Sequence, residues 1–135
     1  MTLGQIAKNY YTSGLNCAAA TLLAAGEIYN LNLEKSDARF ITAFGGGIGC
    51  GHICGALAGA ESALGMVLLP KDALGSPEFR EACAGFVAKF REKWGSEMCE
   101  KARPMHAHPE THCADLVKET GDMLQQYIDE ILAKR

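Results

Sequence analysis

Apolar residues recur along this chain at intervals of three and four, and the strict alternation that marks a half-buried strand is hard to find. A chain so patterned buries its apolar stripes helix against helix, and 135 residues suffice for one core without covalent staples. The pattern predicts an all-α fold, a compact, bundle-like domain of five or six helices, with residues 1–135 forming a single cysteine-rich helical domain.

Punctuation residues set the expected boundaries. A first helix covers Leu3 to Thr12, with Ile6 and Tyr10 on one side, and Ser13-Gly14 stops it. Asn16 is a good N-cap for a second helix through Tyr29, closed by Asn30 to Asn32. Ser36 and Asp37 open a third that carries Phe40, Ile41 and Phe44. The stretch Gly45–Gly51 then places five glycines in seven residues, a tight loop delivering the chain to the next helix. It lacks the lysine of a phosphate-binding P-loop, and no strand precedes it. A fourth helix begins near Cys54 and ends at Pro70. Ser76-Pro77-Glu78 starts another, with Phe79, Cys83, Phe86, Val87 and Phe90 at helical spacing up to Trp94. Gly95-Ser96 caps a short turn carrying Cys99, and Pro104 to Pro109 is expected to be irregular because both prolines oppose a helix. The last helix runs from about Glu110 to Ala133.

Composition narrows the class. The chain is 48% hydrophobic and 21% charged, with a formal charge of −3 and 13 dispersed basic residues, so no nucleic-acid footprint is present. The apolar run from Ile53 to Leu69 is broken by glycines and Glu61, which makes it a buried helix and leaves no membrane partner. The opening residues show neither a basic prelude nor an uninterrupted apolar core, so a cytoplasmic location is expected. In that reducing compartment six cysteines point to reactive or metal-binding thiols.

Four of those cysteines fall where a helix begins: Cys17, Cys54, Cys99 and Cys113. The free N–H groups and positive dipole end of a helix stabilise a thiolate, which is at once nucleophile, redox form and metal ligand. Gathered at one end of a bundle, these four are the candidate catalytic residues, and their pKa values are expected to fall together. Crowded thiolates repel, and a proton, a disulfide or a cation must relieve that repulsion. A metal centre is therefore the alternative, with Cys50, Cys54, Cys113, His52 and His112 as candidate ligands for zinc or an iron–sulfur cluster, although the spacings match no standard zinc finger or ferredoxin run. His106 and His108 lie nearby in a segment expected to be a hydrated loop. Cys50 and Cys54, four apart, would share a face if both lay on helical turns. Cys83, on an apolar stripe, reads as a core residue.

The spacing of Cys17, then Cys54-Gly55-Ala56-Leu57-Ala58-Gly59, then Cys99 and Cys113, resembles the redox-active protein family named for its cysteine signature, C_GCAxxG_C_C. Gly14-Leu15-Asn16-Cys17, Phe44-Gly45-Gly46-Gly47 and Trp94-Gly95-Ser96 extend the resemblance over almost the whole chain. A related domain is similar to part of the split-Soret cytochromes, which attach haem through CxxCH; this chain has no CxxCH, so covalent haem does not carry over. The resemblance implies a small helical thiol protein; the residues add the expectation that Cys54 and one or more of Cys17, Cys99 and Cys113 exchange electrons with an unidentified redox partner through disulfide formation, or bind a metal centre that does so. The corresponding enzyme class is thiol–disulfide oxidoreductase, which requires no cofactor for dithiol chemistry. Small residues along the helix after Cys54 also suit a homodimer contact.

Overall fold

A computed structural model describes residues 1–70 and 75–135. Among these residues the fold is all-α: α1 (Leu3–Thr12), α2 (Cys17–Ile28), α3 (Arg39–Thr42), α4 (Gly55–Leu68), α5 (Pro77–Trp94), α6 (Cys99–His106) and α7 (Ala114–Ala133). Seven helices replace the five or six expected. The surplus is α6, which runs through Pro104 where the sequence suggested irregular chain. Proline at this position forfeits the bond to the carbonyl of Glu100, an exposed residue, while Ala102 anchors the helix in the core and Ala107 N–H still closes on Arg103 C=O at 2.9 Å.

Caps explain most of the remaining boundaries. The Thr2 hydroxyl accepts from Gln5 N–H and the Gln5 amide returns a bond to Thr2 N–H, a capping box that fixes the start of α1. Asn16 caps α2 through Ala19 N–H at 3.0 Å, and Ser76 caps α5 through Phe79 N–H at 3.1 Å. Asn30 and Asn32, at φ of 53° and 56°, turn the chain after α2. The predicted third helix is shorter than expected, a 3-10 turn over Lys35–Ala38 followed by the four residues of α3, and it leaves Phe40 89% exposed. The last helix also starts later than Glu110. His112 takes φ of 53°, and His108 and His112 exchange backbone hydrogen bonds of 3.0 and 2.7 Å, so helical geometry begins only at Ala114.

The core is built where α2 crosses α4 and α1 lies along α7. Ala18, Ala20 and Ala24 of α2 meet Ala56, Ala60 and Ala63 of α4 with essentially no exposure. Gly59 brings the two backbones into contact: a side-chain carbon there would lie 2.5 Å from the carbonyl oxygen of Ala18. The small-residue stripe of α4 is thus consumed inside the chain. Leu57, Leu64, Phe86, Phe90, Leu116, Leu124 and Ile128 complete the core, each contributing about 1.5–3 kcal/mol by burial. Leu3 and Gly4 N–H donate to the side chains of Gln125 and Asp122 at 2.8 and 2.9 Å, fastening α1 to α7. No described helix is long and apolar enough to cross a membrane.

One acid is held inside this packing. Both carboxylate oxygens of Glu61 on α4 are buried without a hydrogen-bond partner, and burial pushes its pKa up to about 7. The Cys83 thiol of α5 lies near enough to oppose that rise slightly, but not in full hydrogen-bonding geometry. Cys83, expected in the core, is half-buried there, and its own pKa is pushed up to about 12 by burial and by the Glu61 charge. Because Glu61 holds its proton more tightly when folded, its stability contribution is complete below pH 4.5 and is lost as pH rises to about 7. Replacing Glu61→Gln should leave denaturant stability unchanged near pH 4 and raise it at pH 8 by on the order of 1 kcal/mol, discounted for partial solvent access. An equal effect at both pH values would contradict this burial penalty.

Candidate functional site: four cysteines at helix entrances

Each signature cysteine opens a helix. Cys17 is the first residue of α2 and Cys99 the first of α6, while Cys54 and Cys113 occupy the N-cap positions of α4 and α7. Three local devices bring these entrances together. Asn16 caps α2 with its side-chain oxygen and donates through its amide nitrogen to Thr42 C=O at 2.8 Å, which ties the start of α2 to the end of α3. A one-pair antiparallel bridge, Ile53 with Met98, then joins the approach to α4 to the approach to α6. Within it, Cys54 N–H donates to Glu97 C=O at 2.8 Å and Cys99 N–H donates to His52 C=O. The turn supplying Glu97 is held by a bidentate ion pair with Arg91, at 2.7 and 3.0 Å. Finally, Cys113 N–H donates to the Tyr11 hydroxyl at 3.2 Å, placing the start of α7 against α1.

The glycine run is the loop expected, and its conformation is left-handed. Gly46, Gly47, Ile48, Gly49 and Gly51 all have φ between 59° and 78°, and His52 N–H closes the turn on Gly47 C=O at 2.8 Å. Close approach matters as much as φ. A side-chain carbon on Gly47 would lie 2.7 Å from Cβ of Cys99, and one on Gly55 would lie 2.5 Å from the Cys17 sulfur.

The result is one cavity of about 160 Å³ lined by Cys17, Cys54, Cys99 and Cys113. Tyr11, Asn16, Arg103 and His106 supply its polar wall, and Ala102 and Leu116 its apolar floor. The other candidate ligands are elsewhere. Cys50 is exposed, its thiol turned to Gly47 C=O at 3.6 Å, because the left-handed loop replaces the helical turn that would have aligned it with Cys54. His52 and His112 are exposed and do not line the cavity. The set Cys50, Cys54, Cys113, His52 and His112 is therefore not brought together, and among the described residues no three His, Cys, Asp or Glu side chains are grouped to hold a metal ion. A wider groove of about 820 Å³ along the first turns of α5 is lined by Cys83 and by none of the four.

Helix entrances were expected to depress the thiol pKa values; burial overrides them. Cys54, 5% exposed, is pushed up to about 12 by desolvation, against which the nearby N–H groups of Leu57 and Ala56 act only weakly. Cys17 is raised by burial despite the Gly46 N–H, and Cys113 by burial and the charge of Cys17 despite Arg103 and Tyr11. The magnitudes decide the order: a helix terminus is worth about 0.3–1 kcal/mol, whereas full burial of an ionisable group shifts its pKa by up to about 3–5 units. Charge on Cys17 or Cys99 also raises Cys54 and Cys113. His106, expected in a hydrated loop, has its pKa lowered by burial and by Arg103, stands edge-on to Trp94 at 5.3 Å, and leaves Nδ1 buried without a partner.

Tyr11 and Arg103 were not singled out for this site from the sequence, and His106 was noted only as a neighbour of the metal set in an expected loop. Arg103 and His106 are three apart on α6, a spacing that carries meaning only once α6 is known to be helical through Pro104.

Two outcomes are expected. Alkylation of Cys54 should keep accelerating to about pH 12, where a free thiol would level off near 9, as followed by peptide mass spectrometry of the reduced protein. Gly55→Ala should cost about 1–3 kcal/mol in chemical denaturation and change the alkylation rate of Cys17, whose sulfur must move; an unchanged rate would contradict the contact.

A family model described as "Putative redox-active protein (C_GCAxxG_C_C)" matches residues 15–127. The designation reads G-C-A-x-x-G where this chain has Cys54-Gly55-Ala56-Leu57-Ala58-Gly59, with the first two residues exchanged. An uncharacterized protein of Archaeoglobus fulgidus is 33% identical over 99 residues, a match spanning 66% of this chain and 66% of that protein. No solved structure matches the chain. With a family model that spans most of the chain and all four cysteines, the chain belongs to the C_GCAxxG_C_C family.

Proposed function

We propose that the cavity is a thiol/disulfide redox centre and that the protein is a thiol–disulfide oxidoreductase of a reducing compartment, the cytoplasm. The observation that carries this is the convergence of Cys17, Cys54, Cys99 and Cys113 on one cavity of about 160 Å³. In the reaction one thiol loses its proton and attacks an external disulfide. A second thiol then displaces the mixed intermediate, so that two thiols and one disulfide become one disulfide and two thiols. Cys54 exchanges electrons with one or more of Cys17, Cys99 and Cys113, which line the same cavity, and charge on Cys17 or Cys99 acts on it. The raised thiol pKa values protect the reduced state at neutral pH, and the rate of oxidation should climb about tenfold per pH unit below them.

A second reading has one observation in its favour. Four thiols around a single cavity are a ligand set that a cation can draw together, and the same four residues would then hold an iron–sulfur cluster, which supplies one-electron transfer. A lone zinc ion is less suited, since the thiols are not grouped for a single ion.

Anaerobic purification followed by iron and zinc analysis, a visible spectrum and a thiol titration separates these readings. The dithiol centre predicts metal-free protein that loses two thiols per two-electron oxidation and regains them with dithiothreitol. Cys54→Ser should abolish that step, and Cys50→Ser should retain it. Stoichiometric iron with visible charge-transfer absorption would overturn the dithiol proposal.

A further inference from the structure

We propose that the oxidant taken by this cavity is a small pyramidal oxyanion, represented by selenite, reduced by all four thiols together; the inference rests on the dithiol reading above. Access comes first. Cys54 is 5% exposed and the cavity encloses about 160 Å³, which admits a few heavy atoms rather than the disulfide of a folded protein. Charge comes second. No carboxylate lines the cavity, although the Asp115 charge reaches the His106 ring, and its one cationic side chain is the exposed Arg103, which bears on both the Cys113 thiol and that ring. Beside it stand the Tyr11 hydroxyl and His106, whose Nδ1 is buried with no partner. Such a wall favours an anion with several acceptor oxygens.

The four thiols match what that chemistry consumes. One selenous acid and four thiols give a sulfur–selenium–sulfur bridge, one disulfide and three waters. The four S–H protons and the two protons of the acid leave with its three oxygens as water. Disulfide formation supplies the two electrons that take selenium from the +4 to the +2 state, and the other two sulfurs are its ligands. Thiols kept protonated by burial are suited to this step, because every departing oxygen needs two protons.

The test uses reduced full-length protein carrying Cys50→Ser and Cys83→Ser, which leaves only the cavity thiols. It is titrated anaerobically with selenite and, in parallel, with the uncharged disulfide 4,4′-dithiodipyridine, and followed by free-thiol count and intact mass. Loss of all four thiols per selenite, with one selenium retained on the chain, is expected. Arg103→Gln should slow the selenite reaction about tenfold more than the dithiodipyridine reaction, with Arg103→Lys recovering part of the difference. Reaction with selenite no faster than that of glutathione at equal thiol, or equal slowing of both oxidants by Arg103→Gln, would overturn the inference. If dithiodipyridine oxidises the cavity reversibly while selenite does not, the oxyanion falls and the dithiol centre stands; if neither does, both fall.

Discussion

Four helices can bring their first turns to one point only where the backbone itself comes close, and two glycines meet that condition here. Gly55 faces the Cys17 sulfur and Gly47 faces Cβ of Cys99, at separations that leave no room for a side chain. Around these contacts the left-handed loop turns the chain out of α3, and the bridge between Ile53 and Met98 sets α4 beside α6. The alanine-rich crossing of α2 and α4 lies directly behind the loop and keeps both helix entrances at fixed separation. Packing and site are thus one construction: the small residues that let α2 and α4 touch also bring Cys17 and Cys54 to the same cavity.

Electrostatics within that cavity follows burial rather than helix polarity. Cys17 and Cys54 have amide hydrogens near their sulfurs, yet the charged form of Cys54 loses more in leaving water than those groups return. A dipole argument made from sequence therefore had the right positions and the wrong sign. The consequence for chemistry is that ionisation of these thiols has to be coupled to something that takes the proton or replaces it: the leaving thiolate of a small disulfide, a cluster iron, or an oxygen leaving as water.

Much of the fold was legible because its signals are local. Asn16, Ser76-Pro77 and Gly95 mark helix ends through bonds made within a few residues, and the expected first helix matches α1 at both ends. Convergence of the four cysteines was suggested by their shared place at helix entrances, but nothing local states that Ile53 pairs with Met98. Pro104 misled because proline rules describe the average cost of a lost bond, and here that bond belonged to an exposed carbonyl beside a well-anchored Ala102. Hidden with α6 were Arg103 and His106, the wall that gives the cavity its charge. The metal set failed for a related reason. Between Cys50 and Cys54 the chain passes through Gly51 at φ of 78° and a non-helical His52, a path that spacing alone does not reveal.

Proximity of the four sulfurs is most directly measured by bifunctional alkylation. Reduced protein treated with dibromobimane, which fluoresces once two neighbouring thiols are bridged, can be digested and its cross-linked peptides assigned by mass spectrometry. Bridges confined to pairs among Cys17, Cys54, Cys99 and Cys113 are predicted, with Cys50 and Cys83 only singly modified. Bridges that join Cys50 or Cys83 to the others, or none among the four, would contradict a shared cavity.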